Sequence, residues 1–167
     1  LDAFVSLRYR RLPELPPGAR IGTSSPRRHA QLRHARPDVA VEPLRGNVDT
    51  RLKRLDAGEL DAILLACAGL ERLGFARRIS EVLDAELFVP AVGQGVIGVE
   101  CRAGDAESGA LLAALHHAPT ALCLAAERAF AARLEGSCHS PIAAHASLDG
   151  ATLLLHAFVG APDGRES

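Results

Sequence analysis

The chain has 167 residues, a net charge of −1, 48% hydrophobic and 23% charged residues, which is ordinary for a globular protein that buries a real core in one generous domain or two small ones. No run approaches the ~20 uncharged apolar residues of a membrane span and no signal-peptide pattern opens the chain, so a soluble cytoplasmic protein is the expectation. Four well-separated cysteines (Cys67, Cys101, Cys123, Cys138) without C-x-x-C exclude a disulfide scaffold, and neither they nor the seven histidines show metal-ligand spacing, so no metal is assigned.

In chain order, Arg20–Thr23 reads as a short strand, with Ser25 as the N-cap and Pro26 the first residue of a helix that runs to about Arg36, before Pro37. Val39–Leu44 is the next strand. Asn47 caps a helix over Val48–Ala57 with Leu52 and Leu55 inward, and Asp61–Ala66 is an apolar run of the kind buried on both faces of a sheet. Strands alternating with helices predict a parallel sheet in an α/β domain. Pro90–Gly95 breaks the pattern as a hinge or crossover, and Val96–Cys101 reads as another strand. An amphipathic helix over Asp105–His116 and an alanine-rich one from Pro119 to about Glu135 follow. Pro141–Leu148 and Ala151–Val159, joined by Asp149-Gly150, predict a hairpin and hence a small α+β domain. Leu1 as first residue, the lack of methionine, and an end just past an apolar strand give the expectation that the chain is a fragment.

Charge is unevenly spread. Residues 1–78 hold 15 Lys and Arg against 9 Asp and Glu, and the remainder 4 against 11, so a basic first half precedes an acidic second half. Lys53 is the only lysine. Arginine suits bidentate binding of carboxylate or phosphate, although GC-rich coding raises arginine content equally, and composition does not choose between them.

Two motifs sharpen the first alternative. Gly22-Thr-Ser-Ser-Pro-Arg-Arg28 places the hydroxyls of Thr23, Ser24 and Ser25 and the guanidiniums of Arg27 and Arg28 at a helix start directly after a strand. Arginines in a first turn oppose the helix dipole by about 0.3–1 kcal/mol each unless an anion sits there. Their placement therefore points to a ligand; the rival reading is two solvated surface arginines. Leu44-Arg-Gly-Asn-Val-Asp-Thr-Arg51 repeats the device, with Arg45 and Arg51 flanking the cap Asn47, and Asp49 pairing with Arg45 or Lys53 is the structural alternative. Ligands of open α/β sheets bind outside the carboxyl ends of strands, so both clusters are expected to converge on one crevice. Separately, Cys138 lies in the small-residue run Gly136-Ser-Cys-His139, the least crowded of the four thiols and the candidate covalent anchor, with His139 placed to help form the thiolate.

Taken in order, these two motifs, with Leu55-Asp-Ala-Gly-Glu-Leu-Asp-Ala-Ile-Leu-Leu-Ala66, Pro90-Ala-Val-Gly-Gln-Gly95 and Arg133-Leu-Glu-Gly-Ser-Cys138, closely resemble the hydroxymethylbilane synthase family, also called porphobilinogen deaminase. The resemblance implies an α/β fold: a periplasmic-binding-protein-like domain with a parallel or mixed sheet and flanking helices, plus part of a small α+β C-terminal domain. Residues 1–89 would be the second domain, 90–117 the crossover and a return into the first, and 118–167 part of the third.

The family joins four porphobilinogen molecules head to tail into hydroxymethylbilane, releasing ammonia at each step, in tetrapyrrole and heme biosynthesis. Its dipyrromethane cofactor is a thioether of one cysteine, and Cys138 is the matching position. By the same resemblance Arg27, Arg28, Thr23, Ser24 and Ser25 bind the cofactor's carboxylates, and Arg45, Arg51, Asn47, Arg72 and Gln94 bind substrate and the growing polypyrrole chain. The physical fit is direct, because each pyrrole carries an acetate and a propionate that arginines neutralise. The family's catalytic aspartate belongs to an opening segment not present among these 167 residues, so the chain by itself is expected to be inactive and, within the intact protein, monomeric. The competing class is a non-catalytic anion-binding module for nucleic acid or polycarboxylates. One tyrosine, five phenylalanines and the acidic second half count against nucleic acid, and no membrane partner is expected.

Overall fold

A computed structural model describes residues 1–135 and 140–161. Five strands form one sheet in the order β3-β2-β4-β1-β5. These are β1 (Asp2–Val5), β2 (Arg20–Gly22), β3 (Ala40–Glu42), β4 (Ala62–Ala66) and β5 (Glu81–Val82). β2 runs parallel to β3 and β4, as the alternation of strands and helices predicts, whereas β1 is antiparallel to both β4 and β5. The sheet is thus mixed.

Period-two alternation divides two apolar cores between its faces. Phe4, Ile21, Ala62 and Leu64 point to one face and pack with Leu32 of α1 (Pro26–Ala35) and with Phe88. Ala3, Val5, Ile63 and Leu65 point to the other, packing with Leu52 and Leu55 of α2 (Val48–Asp56) and Leu70 of α3 (Cys67–Arg72). Both expected caps form: the Ser25 hydroxyl accepts from the Arg28 amide at 3.4 Å, and Asn47 Oδ1 accepts from the Thr50 amide at 2.9 Å. Gly22 ends β2 where a Cβ would stand 2.6 Å from Leu60 Cδ1 and 2.8 Å from Leu44 Cδ2. Any larger residue there would displace the Leu60 and Leu44 side chains that close over the end of β2.

The strand expected over Val96–Cys101 does not form: these residues pair with no strand, and Ile97 is 70% exposed. An alternating apolar run becomes a strand only when a neighbour accepts its ladder hydrogen bonds, and among the described residues none does. α4 (Ala106–Ala113) is shorter than the expected helix and buries none of its residues, so its apolar pattern meets no core here. α5 (Ala118–Arg133) follows the alanine-rich expectation. It lies on the hairpin of β6 (Ile142–Asp149) and β7 (Thr152–Val159), where buried Ala143, Ala144 and Ala146 let it approach closely. The hairpin turn is Gly150-Ala151 rather than the expected Asp149-Gly150, because Asp149 still pairs with Thr152 as the last residue of β6. No single helix among the described residues is long and apolar enough to cross a membrane.

Candidate functional site

Because β1 is antiparallel to β4, its first residue lies beside β4's last: Asp2 pairs with Ala66. Asp2 therefore shares a sheet edge with the carboxyl ends of β2, β3 and β4, from which both arginine loops and α3 depart. The two loops leave neighbouring strands and are bonded to each other. The Thr23 amide donates to the Glu42 carbonyl at 2.9 Å, and the Leu44 amide donates to Ser24 Oγ at 2.9 Å. Thr23 Oγ1 accepts from the Ser25 amide at 3.2 Å, so all three hydroxyl oxygens brace the loops, and each hydroxyl keeps its own proton as a donor.

Arg27 and Arg28 differ from the sequence alternatives in one respect: both are buried, at 5% and 7% exposure, around a fully buried Asp2. Arg27 donates from Nη1 to Asp2 Oδ2 at 2.6 Å and from Nη2 to Oδ1 at 3.1 Å. Arg28 donates to Oδ1 from Nη2 at 2.7 Å and from Nε at 3.0 Å. Remaining N–H groups reach the carbonyls of Val89 (2.7 Å) and Leu64 (3.1 Å). Part of the anion that this helix start calls for is therefore internal, supplied by a strand 25 residues upstream.

One carboxylate faces two guanidiniums. Burial alone would push the Asp2 carboxyl up, but the Arg27 hydrogen bond and the charges of Arg28 and Arg27 outweigh it and hold its pKa below the ordinary carboxylate value. Arg28 carries the cost: burial pulls its pKa down, as do Arg27 and the nearby Arg51, against the opposing pull of Asp2. The cluster is one positive charge in excess, and Arg51 adds to the same field.

The second loop is built differently. Arg45 is exposed and Arg51 half-buried, and Arg51 Nε donates to the Gly46 carbonyl at 2.9 Å. Among the described residues no ion pair joins Asp49 to Arg45 or Lys53, so the structural alternative for this loop is not formed. Gln94 accepts from Arg27 Nη2 at 3.2 Å and donates to Asp2 Oδ1 at 3.1 Å, which fastens the crossover to the arginine cluster. Exposed Arg72 donates to the Gly95 carbonyl at 2.8 Å and braces the crossover from α3. Cys138 and His139 lie outside the described residues. No group of three or more His, Cys, Asp or Glu among the described residues is placed to hold a metal ion.

Sequence reasoning missed Asp2 and Glu127. Each is a lone acid in an apolar setting, at the head of Asp2-Ala-Phe-Val5 and inside an alanine-rich helix, and such isolation is the signal that a buried carboxylate has partners. Asp2 orients the arginines and is too enclosed to handle substrate protons, since its Oδ1 alone accepts from Arg27, Arg28 and Gln94.

A family model described as porphobilinogen deaminase, dipyromethane cofactor binding domain, matches residues 1–110, and one described as porphobilinogen deaminase, C-terminal domain, matches residues 121–167. A porphobilinogen deaminase of Thiobacillus denitrificans (strain ATCC 25259 / T1) is 55% identical over 163 residues, which cover 98% of this chain and 53% of that protein. The chain thus spans about half the length of this curated relative.

Proposed function

The chain belongs to the porphobilinogen deaminase family, and from that premise we propose that the protein it forms part of condenses four porphobilinogen molecules into hydroxymethylbilane, a transferase step of porphyrin biosynthesis. The observation that carries this reading is the positively charged cluster of Arg27, Arg28 and Asp2 sharing one sheet edge with the Arg45 and Arg51 loop. A ligand bearing an acetate and a propionate on each ring meets both features. The buried cluster offers fixed excess charge in a low-dielectric setting, and the exposed guanidiniums offer adaptable bidentate donors.

The donor set fits a dipyrromethane group. Cys138 would hold it through a thioether, with Arg27, Arg28, Thr23, Ser24 and Ser25 binding its carboxylates; bound there, it would supply the pyrrole carbon to which the first substrate ring is joined. Arg45, Arg51 and Asn47 hold incoming porphobilinogen and the growing chain, while Arg72 and Gln94 set the crossover loop beside them. These residues bind and orient, and their fixed positive charge keeps the carboxylates ionised. Residues 1–89, 90–117 and 118–167 correspond to the second domain, the crossover with its return into the first, and part of the third. The protein acts as a cytoplasmic monomer without a membrane partner, and the acidic second half of this chain disfavours a nucleic-acid partner.

Intact mass of the primed protein tests the anchor. The unsubstituted protein should carry a dipyrromethane adduct and give the pyrrole colour with an acidic aldehyde reagent, and Cys138→Ser should lose both. Retention of adduct and colour in Cys138→Ser overturns the assignment. The 167-residue chain alone should show no turnover, because fixed arginines do not stabilise the charge that develops on a pyrrole nitrogen.

A further inference from the structure

Helix α5 is largely exposed, yet Glu127 in its middle is buried at 6% exposure. Its carboxylate makes two short bonds to backbone from different parts of the fold. Oε2 accepts from the Gly93 amide at 2.7 Å, in the crossover loop, and Oε1 accepts from the Ala146 amide at 2.8 Å, in β6. His145 Nδ1 stands 3.8 Å from Oε1. Gly93 has φ +66°, and a Cβ there would lie 2.9 Å from Leu124 Cδ1 on the same helix, so loop backbone and helix touch with no room for a side chain.

Around this contact the packing is open. A cavity of about 280 Å³ lies between Pro90, Gly93, Thr120, Cys123, Glu127 and Ala146. Beyond the close approach at Gly93, the hydrogen bond from the Gly93 amide to Glu127 ties α5 to the crossover, and the bond from Ala146 ties it to β6. From Gly93 the path continues to Gln94, which is bonded to Arg27 and Asp2. In the other direction α5 ends at Arg133, five residues before Cys138.

We propose that Glu127 is a positioning residue: its carboxylate clamps the crossover turn at Gly93 to β6 at Ala146, and so registers α5 and the hairpin against the crossover that Gln94 fastens to the arginine cluster. The inference rests on the reading above that Cys138 carries the primer whose carboxylates Arg27 and Arg28 bind. A carboxylate suits the task because each of its oxygens can take one amide N–H. An amide side chain of the same shape has a single accepting oxygen, and its NH₂ would face the other backbone N–H.

The test uses a full-length protein carrying this chain. In Glu127→Gln, amide exchange at Gly93 or Ala146 should speed by at least about tenfold while that of Ile63 in β4 is unchanged. kcat should fall by about tenfold with KM within about twofold, since a misplaced primer reacts slowly while substrate still binds. Glu127→Asp, which keeps the charge but is one methylene shorter, should be as impaired as Glu127→Gln. If Glu127→Gln does not fold, Gly93→Ala opens the same gap from the loop side and should give the same split. Unchanged exchange at both amides overturns the clamp. A rise in KM at constant kcat, or full activity in Glu127→Asp, overturns the positioning role. Lack of turnover in the unsubstituted protein overturns the functional reading and the positioning role with it, whereas the exchange result decides the clamp independently.

Discussion

The loops at Thr23–Arg28 and Arg45–Arg51 are built from the same parts, a strand end, a polar N-cap and a pair of arginines, but the fold puts them to different uses. In the first, both guanidiniums are buried on Asp2; in the second, Arg45 is exposed and Arg51 touches only its own loop's Gly46 carbonyl among its described hydrogen bonds. What separates them is the neighbouring strand. β1 runs antiparallel beside β4 and delivers a carboxylate to the helix that follows β2, while β3 lies at the far edge of the sheet, where no strand among the described residues delivers one. A similar set of local parts thus gives a fixed charge in one place and an available ligand donor in the other.

The largest effect that would break this contrast is expected at Asp2. Asp2→Ala leaves two buried guanidiniums without their anion and should destabilise the protein by about 3–5 kcal/mol in urea unfolding. A loss near that of an ordinary surface substitution would mean that water already compensates the pair. The same carboxylate predicts an acid limb. Its folded pKa is depressed, so its contribution is complete above the ordinary aspartate value of about 3.9 and is lost as pH falls through the lower folded value. Asp2→Asn should flatten stability over that acid range, and an unchanged acid slope would show that other carboxylates carry it.

Next in size is Gly22→Ala, in which the new methyl meets Leu60 and Leu44 at 2.6 and 2.8 Å and should cost about 1–3 kcal/mol by overpacking, read from the shift in urea midpoint. The caps sharpen the comparison from below. Ser25→Ala and Asn47→Ala should each cost about 1 kcal/mol, because both loops cap their helices in the same way despite their different arginines. A much larger cost at Ser25 would show that the cap also sets the buried cluster.

Most local features were legible from the sequence because their causes are local. Ser25-Pro26 and Asn47 mark helix starts, the apolar run Asp61–Ala66 marks a central strand, and Asp149-Gly150 marks the hairpin to within one residue of its turn. The misses are non-local. β1 is four residues long and gains its identity from pairing with β4, 60 residues later, so the fate of Arg27 and Arg28 could not be read from their own loop. Val96–Cys101 has the alternation of a strand but lacks a partner, and Glu127 reveals its role only when Gly93 and Ala146 arrive from either side. The motif reading put the arginines on the correct edge of the sheet. It did not distinguish the pair that the fold fixes in place on Asp2 from the pair that no carboxylate among the described residues holds.

That distinction is tested most directly by calorimetric titration of porphobilinogen into the primed protein at low salt, comparing the unsubstituted form with Arg45→Ala/Arg51→Ala. The account predicts at least about a tenfold loss of affinity in the double variant while its unfolding free energy stays within about 0.5 kcal/mol of the parent. Equal affinity, or a loss of affinity that merely tracks a loss of stability, would contradict it and return the second loop to the status of a solvated surface.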